Sequence, residues 1–226
     1  MSERLDVTTT NSTIAEQVSA MQQGMAGQLP AEALAAFGGE QAELDAAGLP
    51  EGVLAAGAAM PDGELLDAHG NQATLESARH GRPAVVVTYR GAWCPYCNVA
   101  LRSYQEQLVP VLAERGVELI AISPQKPDGS LSMAEKNELT FTVLSDPGNQ
   151  IAAALGVLTA PTESARAAQA ALGLDLTAAN ADGSHGVPMP TVVLVDAEGT
   201  IRWIDVHPNY ATRTEVQEIV TALDLL

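Results

Sequence analysis

Residues Ala84–Tyr89 form an apolar, β-branched run, and both cysteines of the chain follow shortly after it, in Cys94-Pro95-Tyr96-Cys97. The run reads as a buried strand. Proline is favoured at the first helical position, where its missing N–H costs nothing. The stretch is therefore a strand, a short Gly91-containing turn and a helix that opens with Cys94 at its N-cap. Cys97 lies one turn in. A sulfur at the N-cap faces unpaired backbone N–H groups and the positive end of the helix dipole. That setting favours the thiolate, the reactive form, and in such motifs the thiol pKa falls from about 8.5 to roughly 3.5–7.5. One helical turn also brings two sulfurs within bonding reach. The motif thus specifies a site able to alternate between dithiol and disulfide.

A length of 226 residues suits one domain with an appended segment. Two cysteines in such a chain do not make a disulfide scaffold, and their spacing points to redox chemistry. The start, Met1 to Asp6, lacks the basic-then-apolar layout of a secretory signal. No apolar run approaches the roughly 18 residues of a membrane span. The expectation is a soluble, cytoplasmic protein. A formal net charge of −17 argues against nucleic acid and anionic membrane surfaces as partners.

Residues 1–10 read as a loose tail. Thr13 and Glu16 fit a capping box, followed by Ile14, Val18, Met21 and Met25 at helical spacing. A second helical stretch begins at Pro30 and carries Leu34, Phe37 and Leu44. Gly38-Gly39 divides it into two short helices on this reading. The turn-rich Gly48–Gly52 separates a helical extension, residues 1–52, from a main domain, residues 53–226. The extension reads as packing on the main domain, with a dimer or regulatory arm as the alternative. Within the domain, Met60–Asn71 suggests a hairpin turning at Gly70. Pro110 should kink the helix that follows the cysteines. Val117–Ile122 and Phe141–Leu144 read as strands, with helices over 130–138, 149–155 and 162–172. Residues 175–187 read as a loop. Thr191–Val195 and Thr200–Val206 form a hairpin about Asp196–Gly199, and Val216–Leu223 a terminal helix. Strands alternating with helices and closing in a hairpin describe an α/β sheet with helices on its faces.

The chain resembles the thioredoxin superfamily, and more closely the peroxiredoxin-like branch of the alkyl hydroperoxide reductase/thiol-specific antioxidant family. Four features carry the resemblance: Trp93-Cys94-Pro95-Tyr96-Cys97 after an apolar strand, Met189-Pro190-Thr191 opening the hairpin, the Asp62–Asn71 element, and Ala121-Ile122-Ser123-Pro124 closing a core strand. It implies a three-layer thioredoxin-like fold with a central mixed sheet, and Pro190 in the cis form beside the cysteines. It departs from the family in one respect. Peroxiredoxins carry Pro-x-x-x-Thr/Ser-x-x-Cys, whereas the positions before Cys94 are Gly91 and Val87, and those before Cys97 are Cys94 and Arg90.

The resemblance and the thiol chemistry together imply a thiol-dependent peroxidase that needs no metal or organic cofactor. Cys94 attacks peroxide, Cys97 resolves the product to a disulfide, and thioredoxin or a low-molecular-weight thiol restores the dithiol. Reduction of protein or small-molecule disulfides is the alternative enzyme activity, and a non-enzymatic redox sensor the alternative of another class. Pro190 and Thr191 are expected to position substrate, since a proline leaves neighbouring backbone groups free. Trp93 reads as a docking surface or a packed aromatic. Arg90 reads as a stabiliser of thiolate or peroxide, or else as a solvated strand-end charge. Arg202 has the same two readings, and His207 reads as a structural loop residue. His69, His80, His185 and His207 are scattered, without zinc-ligand spacing.

Overall fold

The computed structural model describes residues 12–25 and 27–226; the tail read over residues 1–10 lies outside them. Two helices come first, α1 (Ile14–Met25) and α2 (Ala31–Ala47). Then follow β1 (Leu65–Asp67), β2 (Gln72–Ala73), α3 (Leu75–Arg79), β3 (Ala84–Thr88), α4 (Pro95–Ser103), α5 (Val109–Arg115) and β4 (Glu118–Ser123). The middle of the chain supplies α6 (Pro127–Lys136), β5 (Thr142–Ser145), α7 (Gln150–Leu155), β6 (Leu158–Thr159), α8 (Glu163–Ala171) and α9 (Leu176–Ala179). The chain ends with β7 (Val187–Pro188), β8 (Thr191–Val195), β9 (Ile201–Val206) and α10 (Val216–Ala222).

Seven strands form one mixed sheet in the order β2-β1-β5-β4-β3-β8-β9. β3 is an interior strand, parallel to β4 and antiparallel to β8. Every residue of β3 is buried, because both faces of the sheet are covered by helices. On one face Val85, Val87, Leu119 and Val192 pack with Leu101, Leu108, Ile219 and the α1 residues Ile14 and Val18. On the other, Val86, Ile120 and Val193 pack with Leu75, Ile151 and Leu155. The expected three-layer α/β fold is present.

Three local expectations are corrected. Residues Ala31–Ala47 are one helix, not two. A Cβ at Gly38 or Gly39 would meet nothing within 4 Å, and the helix is held instead by packing on α8, with Ala33 and Glu40 buried. The buried Glu40 carboxylate accepts the Thr162 N–H at 2.8 Å, which anchors the helix across its weak centre. Pro110 does not simply kink the cysteine helix. A wide turn over Tyr104–Leu108, in which the Val109 N–H reaches the Tyr104 carbonyl five residues back, absorbs the missing donor and the ring. Within the loop expected over 175–187, Leu176–Ala179 make one helical turn, started by the Asp175 carboxylate accepting from Thr177 N–H at 2.9 Å.

The N-terminal helices are part of the packed molecule. Thr13 and Glu16 form the expected reciprocal cap, at 2.9 and 3.1 Å. Glu215, just before α10, also accepts the N–H groups of Ile14 and Ala15 at 2.9 and 2.8 Å. A carboxylate at a helix start satisfies orphan donors and the dipole together. This clasp lays α1 against α4, the helix that carries the cysteines.

Candidate active site

β3 ends in the sheet interior and delivers the chain to a tight turn. Gly91 has φ +151, and a Cβ there would lie 2.3 Å from the Trp93 indole nitrogen and 2.9 Å from Gln125 Cδ. No side chain fits, so a hydroxyl three residues before Cys94 is sterically excluded. The turn is braced by Gln125, whose Oε1 accepts the Ala92 N–H at 2.5 Å. It is braced again by buried Asn98, whose Nδ2 donates to the carbonyls of Ala92 and Cys94 at 2.9 and 2.8 Å. Cys94 is the N-cap of α4 and Pro95 its first residue, as the motif requires.

Both cysteines are free and buried. The charge between them is not placed as the N-cap argument expects. Cys94 Sγ accepts no backbone hydrogen bond at the helix start, and burial, with Cys97 beside it, pushes its thiol well above the ordinary value. Cys97 is held down at about 5 although burial opposes ionisation. Its sulfur accepts from the Cys94 thiol and lies beside a guanidinium and the Arg90 N–H. That guanidinium belongs to Arg213, whose Nη2 is 3.2 Å from Cys97 Sγ and 3.8 Å from Cys94 Sγ. Cys97 is thus the sulfur favoured to carry negative charge, and Cys94 the one favoured to keep its proton.

Arg213 comes from the loop between β9 and α10. Its Nη1 donates to the carbonyls of Tyr210 and Thr212 at 2.5 and 2.6 Å. Asp205 closes the same loop, its Oδ2 accepting from Thr214 at 2.8 Å and meeting His207 Nε2 at 2.9 Å. The bond from His207 is the main cause that keeps the Asp205 carboxyl below the usual range. His207 is the structural loop residue expected, with Nδ1 on Thr212 Oγ1 at 2.7 Å.

The other candidates separate. Arg90 is not a solvated charge: it is buried, with its guanidinium carbon 3.9 Å from the Tyr210 ring centre and 5.3 Å from that of Trp93. Its positive charge favours ionisation of Cys94. Trp93 is half-buried between Arg90 and an open cleft. Arg202 is at the surface, 3.7 Å from Asp196, and away from the sulfurs. Pro190 and Thr191 lie behind Cys97, around a cavity of about 10 Å³ shared with Arg213 and His207, roughly the space of one water.

Pro190 is not cis; all peptide bonds among the described residues are trans. Trans is the intrinsic preference even before proline, and the flanking groups are already paired in that form. Met189 N–H donates to Val157 O at 2.8 Å and His207 N–H to Pro190 O at 2.9 Å. The Met189 carbonyl takes the Thr88 and Thr191 hydroxyls, each at 2.9 Å. The Met189 N–H and carbonyl and the Pro190 carbonyl are thus paired within the protein rather than left free for a substrate chain. Sequence reasoning missed Arg213, Asn98 and Gln125. For Arg213 the one signal was the scarcity of cations, 11 in 226 residues, which makes an arginine in a turn-rich loop worth noticing; Asn98 and Gln125 carried none.

On the opposite side, Cys94 forms the end of a cleft of about 720 Å³ walled by α1, α2 and the end of α8. No described helix is long and apolar enough to cross a membrane.

Known proteins resemble this chain. The chain is 34% identical over 104 residues to peroxiredoxin Bcp of Escherichia coli K12, covering 46% of this chain and 65% of Bcp. It is 32% identical over 110 residues to the thiol-disulfide oxidoreductase ResA of Geobacillus kaustophilus, covering 48% of this chain and 62% of ResA. The match thus spans less than two thirds of either relative. Among solved structures, peroxidoxin BcpB from Mycobacterium tuberculosis superposes with a TM-score of 0.58 at 18% identity, over 76% of this chain and 96% of that one. Reduced Prx3 from Vibrio vulnificus, in complex with H2O2, gives 0.61 at 17% identity, over 76% of this chain and 99% of that one. These two share the fold. The AhpC/TSA family profile matches residues 56–204, from before β1 to within β9, so the stretch that builds the sheet and the dithiol turn is the matched one, and the chain belongs to the AhpC/TSA family.

Proposed function

We propose that the protein is a thiol-dependent peroxidase working through a Cys94/Cys97 dithiol–disulfide cycle. The observation that carries the reading is the Arg213 guanidinium set against two buried, free sulfurs one helical turn apart, 3.2 Å from Cys97 and 3.8 Å from Cys94.

Cys94 is the attacking sulfur, because it faces the open cleft while Cys97 faces the closed cavity. The charge resting on Cys97 makes that residue its base. At an effective dielectric near 20, Arg213 prefers the charge on Cys97 over Cys94 by only roughly 0.8 kcal/mol, so the proton can pass from Cys94 to Cys97 as peroxide arrives. A sulfur–oxygen bond then forms and the O–O bond breaks. The departing alkoxide or hydroxide takes the proton from Cys97, leaving Cys94 as sulfenic acid and Cys97 again as thiolate. Cys97 attacks Cys94, the departing hydroxide takes a proton from solvent to become water, and the sum, counting that proton, is dithiol plus peroxide to disulfide plus alcohol and water. Arg90, on the wall of the cleft beside Cys94, supplies the fixed positive charge near the leaving oxygen, where Gly91 offers no hydroxyl to donate a hydrogen bond. Thioredoxin or a low-molecular-weight thiol of the cytoplasm restores the dithiol.

Disulfide reduction is the second reading, favoured by the likeness to ResA and by Cys94 standing at an open cleft. One equivalent of hydrogen peroxide added to reduced protein decides between them. The peroxidase reading expects an intramolecular Cys94–Cys97 disulfide within seconds, seen as loss of two hydrogens by intact mass. Survival of both thiols, together with rapid reduction of an added disulfide, would replace it with the second reading.

A further inference from the structure

One residue, Tyr210, touches both arginines that act on the sulfurs. Its ring centre is 3.9 Å from the Arg90 guanidinium carbon, and its carbonyl accepts from Arg213 Nη1 at 2.5 Å. Arg90 depends on such a holder. Among the described residues its guanidinium makes no ion pair. A cation within about 6 Å of a ring face is attracted by the ring's quadrupole, and Arg90 has two such faces, Tyr210 and, at 5.3 Å, Trp93. Burial, with Glu40 beside it, pushes the Tyr210 hydroxyl above its ordinary value, so the ring meets Arg90 as a neutral phenol.

α2 in turn seats Tyr210. Asn209 Nδ2 donates to Asp45 Oδ2 at 2.9 Å, and the Tyr210 hydroxyl reaches the Phe37 carbonyl at 3.5 Å. Glu40, Arg90 and Tyr210 close around a cavity of about 10 Å³, room for one water at most, so the ring has little space to swing. We infer that Tyr210 is a positioning residue for Cys94: its ring, seated by α2, fixes the Arg90 guanidinium on the cleft wall beside that sulfur, while its backbone carbonyl separately anchors Arg213 beside Cys97. The appended helices thereby complete the site of the main domain. In the peroxidase reading, on which this part in the reaction rests, Arg90 then meets the leaving oxygen from a fixed place.

The titratable and charged groups around Cys94 are Cys97 and Tyr96 on α4, Arg90 just before the turn, and Tyr210 and Arg213 on the β9–α10 loop; α1, α2 and α8 bring only uncharged residues to the cleft. The Cys94 thiolate is titrated by the pH dependence of iodoacetamide alkylation in full-length Cys97→Ser protein, a readout that needs no peroxide. Tyr210→Leu should raise the midpoint by about 1 unit, the low end of what a nearby opposite charge supplies, because Arg90 is released rather than removed. Tyr210→Met, with an adaptable side chain that fills irregular gaps, takes its place if the leucine variant does not fold. Tyr210→Phe keeps the ring and should keep the midpoint. Arg90→Met should raise it at least as far, and Tyr210→Leu added to Arg90→Met should add nothing, since the tyrosine acts through the arginine. In a Cys94→Ser background Tyr210→Leu should leave the Cys97 midpoint in place, because the carbonyl that holds Arg213 remains. An unmoved Cys94 midpoint, an equal rise at both sulfurs, or a Tyr210→Leu shift that persists without Arg90 overturns the assignment. The predicted shifts in a protein that turns over no peroxide would sustain the role of Tyr210 and fail the peroxidase reading alone.

Discussion

Arg213 Nη2 stands 3.2 Å from Cys97 Sγ, although the two residues are 116 positions apart in the chain. After the hydrogen bond from the Cys94 thiol, this guanidinium is the largest influence holding Cys97 down. A cation favours the ionised sulfur, so removing it must raise the thiol pKa; an opposite charge at this range is worth about 1–3 units. Wild type, with Cys97 at about 5, should react at a rate flat above about pH 6, falling as pH drops through 5 and the thiolate is protonated. Arg213→Met should shift that midpoint up by about 1–3 units and slow oxidation at neutral pH. Thiolate absorbance against pH, measured beside the rate profile, checks this. An unshifted midpoint would remove Arg213 from the site.

The sulfurs should behave differently when separated. Cys94→Ser should leave a thiolate at Cys97 that titrates low yet oxidises slowly, since it faces the closed cavity. Cys97→Ser should oxidise once at Cys94, more slowly than wild type because its base is gone, and stop as sulfenic acid. Trapping with a sulfenic-acid reagent and mass spectrometry distinguish them. Faster oxidation in Cys94→Ser would reverse the roles.

Asp205 holds the loop that presents Arg213. Its depressed carboxyl contributes stability that is present above the ordinary carboxylate range and is lost as pH falls through its lowered folded value. Asp205→Asn should destabilise the protein by about 1–3 kcal/mol and raise the dithiol pKa, by less than Arg213→Met does. Denaturant unfolding and the thiolate titration give the two readings.

The Glu215 clasp on α1 should be worth about 1–2 kcal/mol, as for other caps. Glu215→Ala should speed amide exchange across Ile14–Met25 while leaving β3 and β4 protected. Uniform loosening of both would mean that α1 is not a separately opening unit.

Gly39 lies in the interior of α2 with open space at its Cβ position. Gly39→Ala should stabilise the protein by about 0.5–1 kcal/mol through reduced backbone freedom, raising the thermal midpoint without altering the dithiol titration.

What the sequence makes legible is local. The β3 run, Pro95 behind Cys94, the Thr13–Glu16 cap and the β8–β9 hairpin are each fixed by neighbours a few residues away, and all are found in place. Sites built by distant pairs are not legible. The Arg213–Cys97 contact, the Asn98–Asn137 brace at 2.9 Å and the Glu215 clasp on Ala15, 200 positions apart, depend on how the sheet and helices meet. The N-cap argument placed the charge on Cys94 because it weighed the helix dipole alone; a hydrogen bond from the Cys94 thiol and a guanidinium in contact both favour it on Cys97. The Gly38-Gly39 break failed for the same reason, as packing on α8 overrides local propensity. Pro190 follows the family expectation in position and departs from it in its peptide bond.

The central claim, that Cys94 and Cys97 form the working dithiol of a peroxidase, is tested most directly by turnover. Purified protein is given a hydroperoxide with thioredoxin, thioredoxin reductase and NADPH, and peroxide and NADPH are followed together. The account predicts one NADPH consumed per peroxide over many cycles, abolished in Cys94→Ser and in Cys97→Ser. Peroxide loss no faster than in the protein's absence, with NADPH consumed only when a disulfide substrate is added, would contradict it.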